Sequence, residues 1–386
     1  MMKVKFGDVV NRVNIKVDRH HTDRIYYVGG EHIESNELMI HDKGLIKGST
    51  IGYKFHFGFN PRHILFMSRN PHLRKCSMVN FSGVCSDSTY VIETKDDSVL
   101  LQDYLLFEMQ SDRFWKWAEE HKSGGVNYLI NYATLSSYEF FLPSLSVQRE
   151  LSKKLWAAYR LKESYKKLLL ATRDMVKSQF IEMFGNPLSS KQKYPLKELG
   201  ECCEINPTRP QFNIGDDDMV SFVPMQSVSE EGYLCENIEK PYSKVKKGFT
   251  YFGDGDVLFA KITPCMENGK GAIAEHLTNG IGMGSTEFHV LRPIPGTSTS
   301  QWILALTRMS NFRTQAARFM SGTGGQKRVS ASYLENFKIG LPPIDRQEQF
   351  AEIFIQADKS EFDSLRSEYE LKLSIKAINS VIKSLI

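Results

Sequence analysis

The sequence has no long apolar run. Its uninterrupted apolar stretches are a few residues each, against about 18 or more for a membrane span. The opening MMKVKFGDVV shows no apolar core followed by a small-residue cleavage site, so neither a span nor a secretory signal is expected. Cysteine is sparse: the six, at 76, 85, 202, 203, 235 and 265, form no C-x-x-C pair. That removes the spacing of a zinc ribbon or a thioredoxin-like site and leaves reduced thiols in a cytosolic chain as the default. A dominant charge is lacking too. Lys plus Arg is 49 and Asp plus Glu is 45, a net charge of +4; so mild an excess permits a nucleic-acid partner, but only local clustering would make a usable field. With 41% hydrophobic residues the chain has the apolar content of a folded protein, and 386 residues suggest two or three domains.

Catalytic signatures are missing as well. No P-loop occurs, since Gly324-Gly325-Gln326-Lys327-Arg328 lacks the spacing, and no H-E-x-x-H is present. Gly280-Ile281-Gly282-Met283-Gly284 is glycine-rich but does not open a helix after a strand. Amino-methyltransferases grip their target amine with Asn/Asp-Pro-Pro-aromatic; the Asn-Pro pairs at 60, 70, 186 and 206 all lack the second proline and the aromatic. One nuclease-like layout remains as an alternative: Asp87, then Glu93-Thr94-Lys95 at a strand end, could hold Mg²⁺ beside a lysine. The matching place in the second half of the chain carries Thr286 and Arg292-Pro293-Ile294, so a hairpin edge with solvated charge is the better reading.

What is present is a repeat. LPSLSVQREL from Leu142 returns as LPPIDRQEQF from Leu341, an offset of 199 residues, and at the same offset Gly83 falls on Gly282, Ser86 on Ser285 and Val91 on Val290. Gly124-Gly125 and Gly324-Gly325 lie within one residue of that offset, and HILFMSR from His63 resembles DVLFAKI from Asp256 at an offset of 193. Each copy opens with short apolar runs broken by Gly, Pro, Asn and Asp, which predict strands at 25–28, 64–67, 90–92, 222–223, 257–259 and 288–291. Helical stretches follow from Leu101 and from Ser300. Each copy closes with a long helix. From Ser146 to Phe184 there is neither Pro nor Gly, and Leu151, Leu155, Leu161 and Leu168 recur at helical spacing; Phe350, Phe354, Leu371, Ile375, Ile378 and Ile382 form the second stripe. Some 40 residues of helix span roughly 60 Å and need a partner. Residues 143–185 carry nine Lys/Arg against four Asp/Glu, and 341–386 carry six against eight, so the opposite excesses favour pairing of the two helices with each other.

The expected fold class is therefore α+β: a first globule at 1–142, a central spacer helix at 143–185, a second globule at 186–340 and a C-terminal spacer helix at 341–386. Basic and polar residues cluster at loop positions in both globules. They are Arg62, His63, Arg69, Arg74, Lys75 and Asn127 in the first, and Lys244, Lys246, Lys247, Lys261, Lys270, Gln326, Lys327 and Arg328 in the second. Lys and Arg neutralise phosphate, while Gln, Asn and Arg can read base edges, so the clusters point to DNA contact. A scaffold binding protein instead of DNA is the remaining alternative.

These segments resemble the DNA specificity subunit of type I restriction–modification systems. The resemblance rests on the two LP-x-x-x-x-Q segments and on FVPMQSV at Phe222, GDVLFAKITPCMENGKGAIA at Gly255, GIGMGSTEFHVLRP at Gly280 and SGTGGQKRVSASYLENFKIGLPP at Ser321, with YVGGEHIES at Tyr27 as the first-domain equivalent. The first globule departs from the pattern, with HFGFNPRHILFMSR before its strand. The resemblance implies two target-recognition domains, each reading half of a bipartite double-stranded DNA site. It also implies an antiparallel coiled-coil spacer and pseudo-twofold symmetry presented to two modification (methyltransferase) subunits. It implies no catalytic site and no cofactor in this chain: S-adenosylmethionine belongs to the partners, as do ATP and Mg²⁺ where restriction–translocase subunits join. The implied setting is the prokaryotic cytoplasm, with no membrane partner.

Overall fold

A computed structural model describes residues 2–18, 21–125, 128–189, 193–236, 238–323 and 325–359. They fall into two compact units that meet in sequence between Lys166 and Lys167. Both units are mixed α/β, and both have the same connectivity. In the first, the antiparallel order is Val10–Val13, Thr89–Thr94, Ile64–Met67, Cys76–Met78; in the second it is Cys203–Ile205, Phe288–Pro293, Val257–Ala260, Gly271–Ile273. A second sheet in each unit contains one parallel pair, Tyr26–Val28 beside Gly83–Ser86 in the first and Met219–Val223 beside Ile281–Gly284 in the second. A small two-stranded sheet closes each unit: Met2–Lys5 with Glu139–Leu142, and Leu196–Glu198 with Lys338–Gly340.

The repeated glycines have a packing cause. Gly83 lies opposite Phe59 and Gly282 opposite Phe252 in antiparallel register. A Cβ on Gly83 would come within 2.4 Å of the Phe59 ring, and one on Gly282 within 2.0 Å of the Phe252 ring. Each phenylalanine covers its bare glycine, and no larger residue fits beneath it. Within the Gly280–Gly284 segment, Ile281–Gly284 is thus a buried strand whose glycines admit an aromatic ring.

The helical stretches predicted from Leu101 and Ser300 are each two helices. Gln102–Met109 gives way to Asp112–Glu120 because Ser111 accepts a hydrogen bond from Phe114 N–H at 3.1 Å and starts a new helix. Ser300–Arg308 and Ser310–Arg318 are separated by extended Met309. Their aromatic residues fill the cores: Phe114 and Trp115 pack with Phe66 in the first unit, and Trp302 and Phe312 join Phe259 in the second.

The glutamine of the LP segments explains its own recurrence. Gln148 and Gln347 are both fully buried. Gln347 donates from its amide to the carbonyls of Thr297 and Pro342, at 3.0 and 2.9 Å, and accepts from Thr299 N–H at 3.1 Å. Gln148 does the same with Val99, Pro143 and Leu101, at 3.0, 2.9 and 2.9 Å. One side chain ties the incoming loop, the proline and the start of the long helix together in each unit, satisfying main-chain groups that water cannot reach.

The central helix runs Leu145–Phe184, and the second begins at 344 and is described to 359. The buried stripe of the first differs from the expected one. Leu155, Tyr159, Leu169, Phe180 and Met183 are buried, while Leu161 and Leu168 are 45% and 47% exposed. The stripe passes through Lys162, which the apolar pattern could not show. Lys162 Nζ donates to the buried Glu37 carboxylate at 3.0 Å, and Lys166 lies 3.6 Å from the same group. Leu151 packs on the core of the first unit. In the second unit Phe350 meets Phe180 and Phe184 edge-on at 5.3 and 5.6 Å between ring centres, with Phe354 beside them. Leu371, Ile375, Ile378 and Ile382 lie outside the described residues.

Candidate nucleic-acid interface

In the second unit, Val257–Ala260 ends opposite the start of Phe288–Pro293, so Lys261 and Glu287 leave the sheet at one end. Lys261 N–H donates to the Glu287 carbonyl at 2.9 Å, and Val329 N–H to the Lys261 carbonyl at 3.0 Å. Ser321 and Arg328 exchange two main-chain bonds, of 3.0 and 2.8 Å, which close the glycine segment into a tight loop. His289 donates from Nε2 to the Val329 carbonyl at 2.9 Å, and its Nδ1 lies 3.0 Å from the Asn206 amide nitrogen. Burial holds this imidazole below its ordinary pKa, consistent with a neutral ring that donates at one nitrogen and accepts at the other.

The first unit builds the same frame. Ser68 N–H donates to the Ser88 carbonyl and Ile130 N–H to the Ser68 carbonyl, both at 2.9 Å, and Ser123 and Leu129 exchange bonds of 2.9 Å. Tyr90 stands where His289 stands and donates its hydroxyl to the Ile130 carbonyl at 3.1 Å. The frame is main chain plus one buried ring, joined in the first unit by the buried Ser68 hydroxyl, which donates to the Ser88 carbonyl at 2.7 Å. The side chains at its corners differ: Ser68, Ser88 and Leu129 in the first unit, Lys261, Glu287 and Arg328 in the second.

The second unit displays charge here. Arg328 donates from Nε and Nη2 to the two Glu287 oxygens at 2.8 and 2.7 Å, and the guanidinium holds the carboxyl below its ordinary pKa. Gln326 and Lys327 are exposed beside it. Lys270 reaches the same sheet end, because its carbonyl accepts from Ala260 N–H at 3.1 Å. The turn carrying Lys244, Lys246 and Lys247 leads into Thr250, which lies opposite Gly284 at the end of its strand, so it too emerges near Ser285. Lys246 is engaged by Asp216 at 2.7 Å, whereas Lys244 and Lys247 are exposed.

Residues 191–371 match the family model described as the type I restriction modification DNA specificity domain. This stretch, a little under half of the chain, is similar to that specificity domain. Two curated relatives agree, the type I restriction enzyme EcoEI and EcoAI specificity subunits of Escherichia coli. They are 39% identical over 176 and 175 residues respectively, covering 44% of this chain. Each match spans only 29% of the relative's length. The fold likeness is broader. A crystal structure of a type I restriction–modification S subunit from M. genitalium superposes with a TM-score of 0.60 at 12% identity, over 98% of this chain and 94% of that one. A chain from a study of complex assembly and conformational transition of the type I R-M system gives 0.53 at 16%, over 98% and 96%. The fold is thus that of type I specificity subunits.

The residues expected to contact DNA do not all lie at one end of the sheets. Arg62 and His63 precede Ile64, at the opposite end of their strand from Arg69. Arg62 pairs with Asp103 at 3.1 Å. His63 sits 3.4 Å from Glu93 and has Nδ1 3.1 Å from the Asn60 N–H; burial lowers its pKa despite Glu93, so it is a packing residue. Arg74 pairs with Asp112 at 2.8 Å and Lys75 donates to the Gly30 carbonyl at 2.5 Å. Arg69 is exposed beside the specificity-domain frame, and Asn127 lies outside the described residues. Glu287 was missed because a search for DNA contacts favours cations. Its signal was its place two residues before His289, where the first copy has Ser88.

The nuclease layout does not assemble. Asp87 lies in the turn before Thr89–Thr94 and Glu93 near that strand's far end, with four extended steps, about 13 Å, between Thr89 and Glu93. Lys95 Nζ donates to the Gly7 carbonyl at 2.6 Å. Among the described residues no group of three or more His, Cys, Asp or Glu could hold a metal ion, and no helix is long and apolar enough to cross a membrane.

Proposed function

We propose that the chain is the sequence-reading subunit of a type I restriction–modification complex. Each unit reads one half of a bipartite double-stranded DNA site. The observation that carries this reading is the duplicated frame: identical main-chain bonding in both units, with different side chains displayed at the same positions. Such an arrangement suits two related modules that recognise different sequences, since main-chain geometry positions and side chains specify.

The reading extends to the helices and the partners. Leu145–Phe184 and the helix from 344 act as an antiparallel coiled-coil spacer that sets the gap between half-sites. Two modification subunits bind S-adenosylmethionine and methylate the DNA; restriction–translocase subunits, where present, use ATP and Mg²⁺. The chain supplies recognition and no catalysis, and it works in the prokaryotic cytoplasm. The test is a map of methylated adenines in cells with and without this chain, repeated with four residues inserted after Leu168. The expected result is a split motif that disappears without the chain. The insertion adds about 6 Å of helix and lengthens the gap or abolishes methylation. An unchanged motif in the insertion variant would refute the spacer role; a motif independent of the chain would refute the whole reading.

A further inference from the structure

The duplicated frame carries one position whose chemistry is resolved in the second unit. Arg328 has five N–H donors in a planar fork. Its Nε and Nη2 face the two oxygens of Glu287, at 2.8 and 2.7 Å, and Nη1 makes a longer bond of 3.3 Å to the Gln326 carbonyl. One N–H on Nη1 and one on Nη2 remain, side by side on the outer edge of the guanidinium. That edge matches the O6 and N7 acceptors of guanine in the major groove. A guanidinium free to rotate would lose side-chain entropy on making such a contact; one clamped by a carboxylate has already lost it. Both residues remain partly open to solvent, with side chains 39% and 27% exposed, so the edge is accessible.

The first unit shows what the frame is without this pair. Leu129 occupies the place of Arg328 and is 37% exposed. Ser88 occupies the place of Glu287, with its hydroxyl 2.8 Å from that of Ser86. The Ser123–Leu129 main-chain bonds match the Ser321–Arg328 bonds to within 0.1 Å. The pair is therefore not needed to hold the loop: the same loop closes without it. A carboxylate at the rim of a DNA-facing surface also repels phosphate, so as a solvated charge it would weaken binding. Its bidentate hold on an arginine gives it a purpose.

We propose that Arg328 reads a guanine in the half-site of the second unit, with Glu287 as the positioning residue that presents its outer edge. The inference rests on the DNA-reading function proposed above. The first unit, with Leu129, makes no such contact, and the two half-sites differ at this base pair.

The test is enrichment of bound duplexes from a random pool. It uses the full chain purified in the complex it forms in its host, as wild type and as Arg328→Lys, Arg328→Leu and Glu287→Gln. The wild type enriches a half-site with an obligatory G·C pair. Arg328→Lys keeps the charge but loses the fork, so preference for that guanine falls by about 5- to 150-fold, while the other positions and the salt dependence hold. Arg328→Leu loses the preference as well and gives a shallower salt dependence. Glu287→Gln shows an intermediate loss at the same base pair alone. Melting temperatures of the variants check that folding is intact. If Arg328→Leu enriches the wild-type motif unchanged, Arg328 reads no base and the inference is overturned, with the DNA-reading function left standing. If Glu287→Gln weakens every position equally, the positioning role is overturned. A wild-type complex that enriches no sequence overturns the DNA-reading function, and this inference with it.

Discussion

Replacing Gln347 tests the junction between recognition domain and helix. The side chain is fully buried and makes three hydrogen bonds, donating to Thr297 and Pro342 carbonyls and accepting from Thr299 N–H. Gln347→Ala leaves two carbonyls and one N–H without partners. Each unsatisfied buried group costs about 1–3 kcal/mol, and some relief comes from water entering the vacated space, so the net loss is about 3 kcal/mol. At about 2–4 °C per kcal/mol for a unit of this size, melting falls by roughly 6–12 °C. Gln347→Glu is the sharper variant. It preserves volume and the acceptor for Thr299, but it turns the two donated bonds into contacts between a carboxylate oxygen and carbonyl oxygens. At neutral pH it is at least as damaging as alanine, and acid, by protonating the new carboxyl, restores one donor and part of the stability. Chemical denaturation of both variants at pH 7 and pH 5 measures this. If Gln347→Ala costs under about 1 kcal/mol, or Gln347→Glu is milder than alanine at pH 7, the hydrogen-bond account of the recurring glutamine is wrong.

Two further predictions concern stability. Gly282→Ala places a methyl group 2.0 Å from the Phe252 ring and destabilises the second unit by about 1–3 kcal/mol; combining it with Phe252→Leu recovers part of the loss in a denaturation double-mutant cycle. Glu37 is pushed up by burial, but the hydrogen bond and charge of Lys162 outweigh this and hold it below the ordinary 4.5. Its contribution is therefore full above about pH 4.5 and is lost as pH falls through the folded value. Glu37→Gln removes that acid dependence and costs about 3 kcal/mol by leaving Lys162 without its counter-charge, as read from unfolding at pH 7 and pH 4.

Much of the architecture was legible because duplication wrote it twice. The strands at 64–67 and 257–260, the helix from 145 to 184 and the paired LP segments all follow from apolar periodicity and turn residues, which are local signals. The helix seam was misread because Lys162 stands at a half-buried position, made tolerable by the distant Glu37. The fold separates some of the residues that the sequence grouped together. Arg69, Lys261, Lys270 and Arg328 lie at equivalent ends of their sheets, but Arg62 and His63 lie at the opposite end, since a strand separates residues that look adjacent in sequence. Glu287 escaped because its role depends on a partner 41 residues away.

The display frame has a consequence for how such a protein changes. Its bonds are mostly main chain to main chain, with one buried ring, Tyr90 or His289, holding the loop from behind and, in the first unit, the Ser68 hydroxyl bonded to the Ser88 carbonyl. Hardly any of the outward side chains is asked to keep the loop in shape. Substitution at the place of Leu129 and Arg328 is therefore decoupled from folding, and a lineage can trade leucine for arginine there at little thermodynamic risk. Binding preference becomes a quantity that drifts freely under selection while the scaffold is conserved by physics, and the two halves of one chain already sit at different points of that drift.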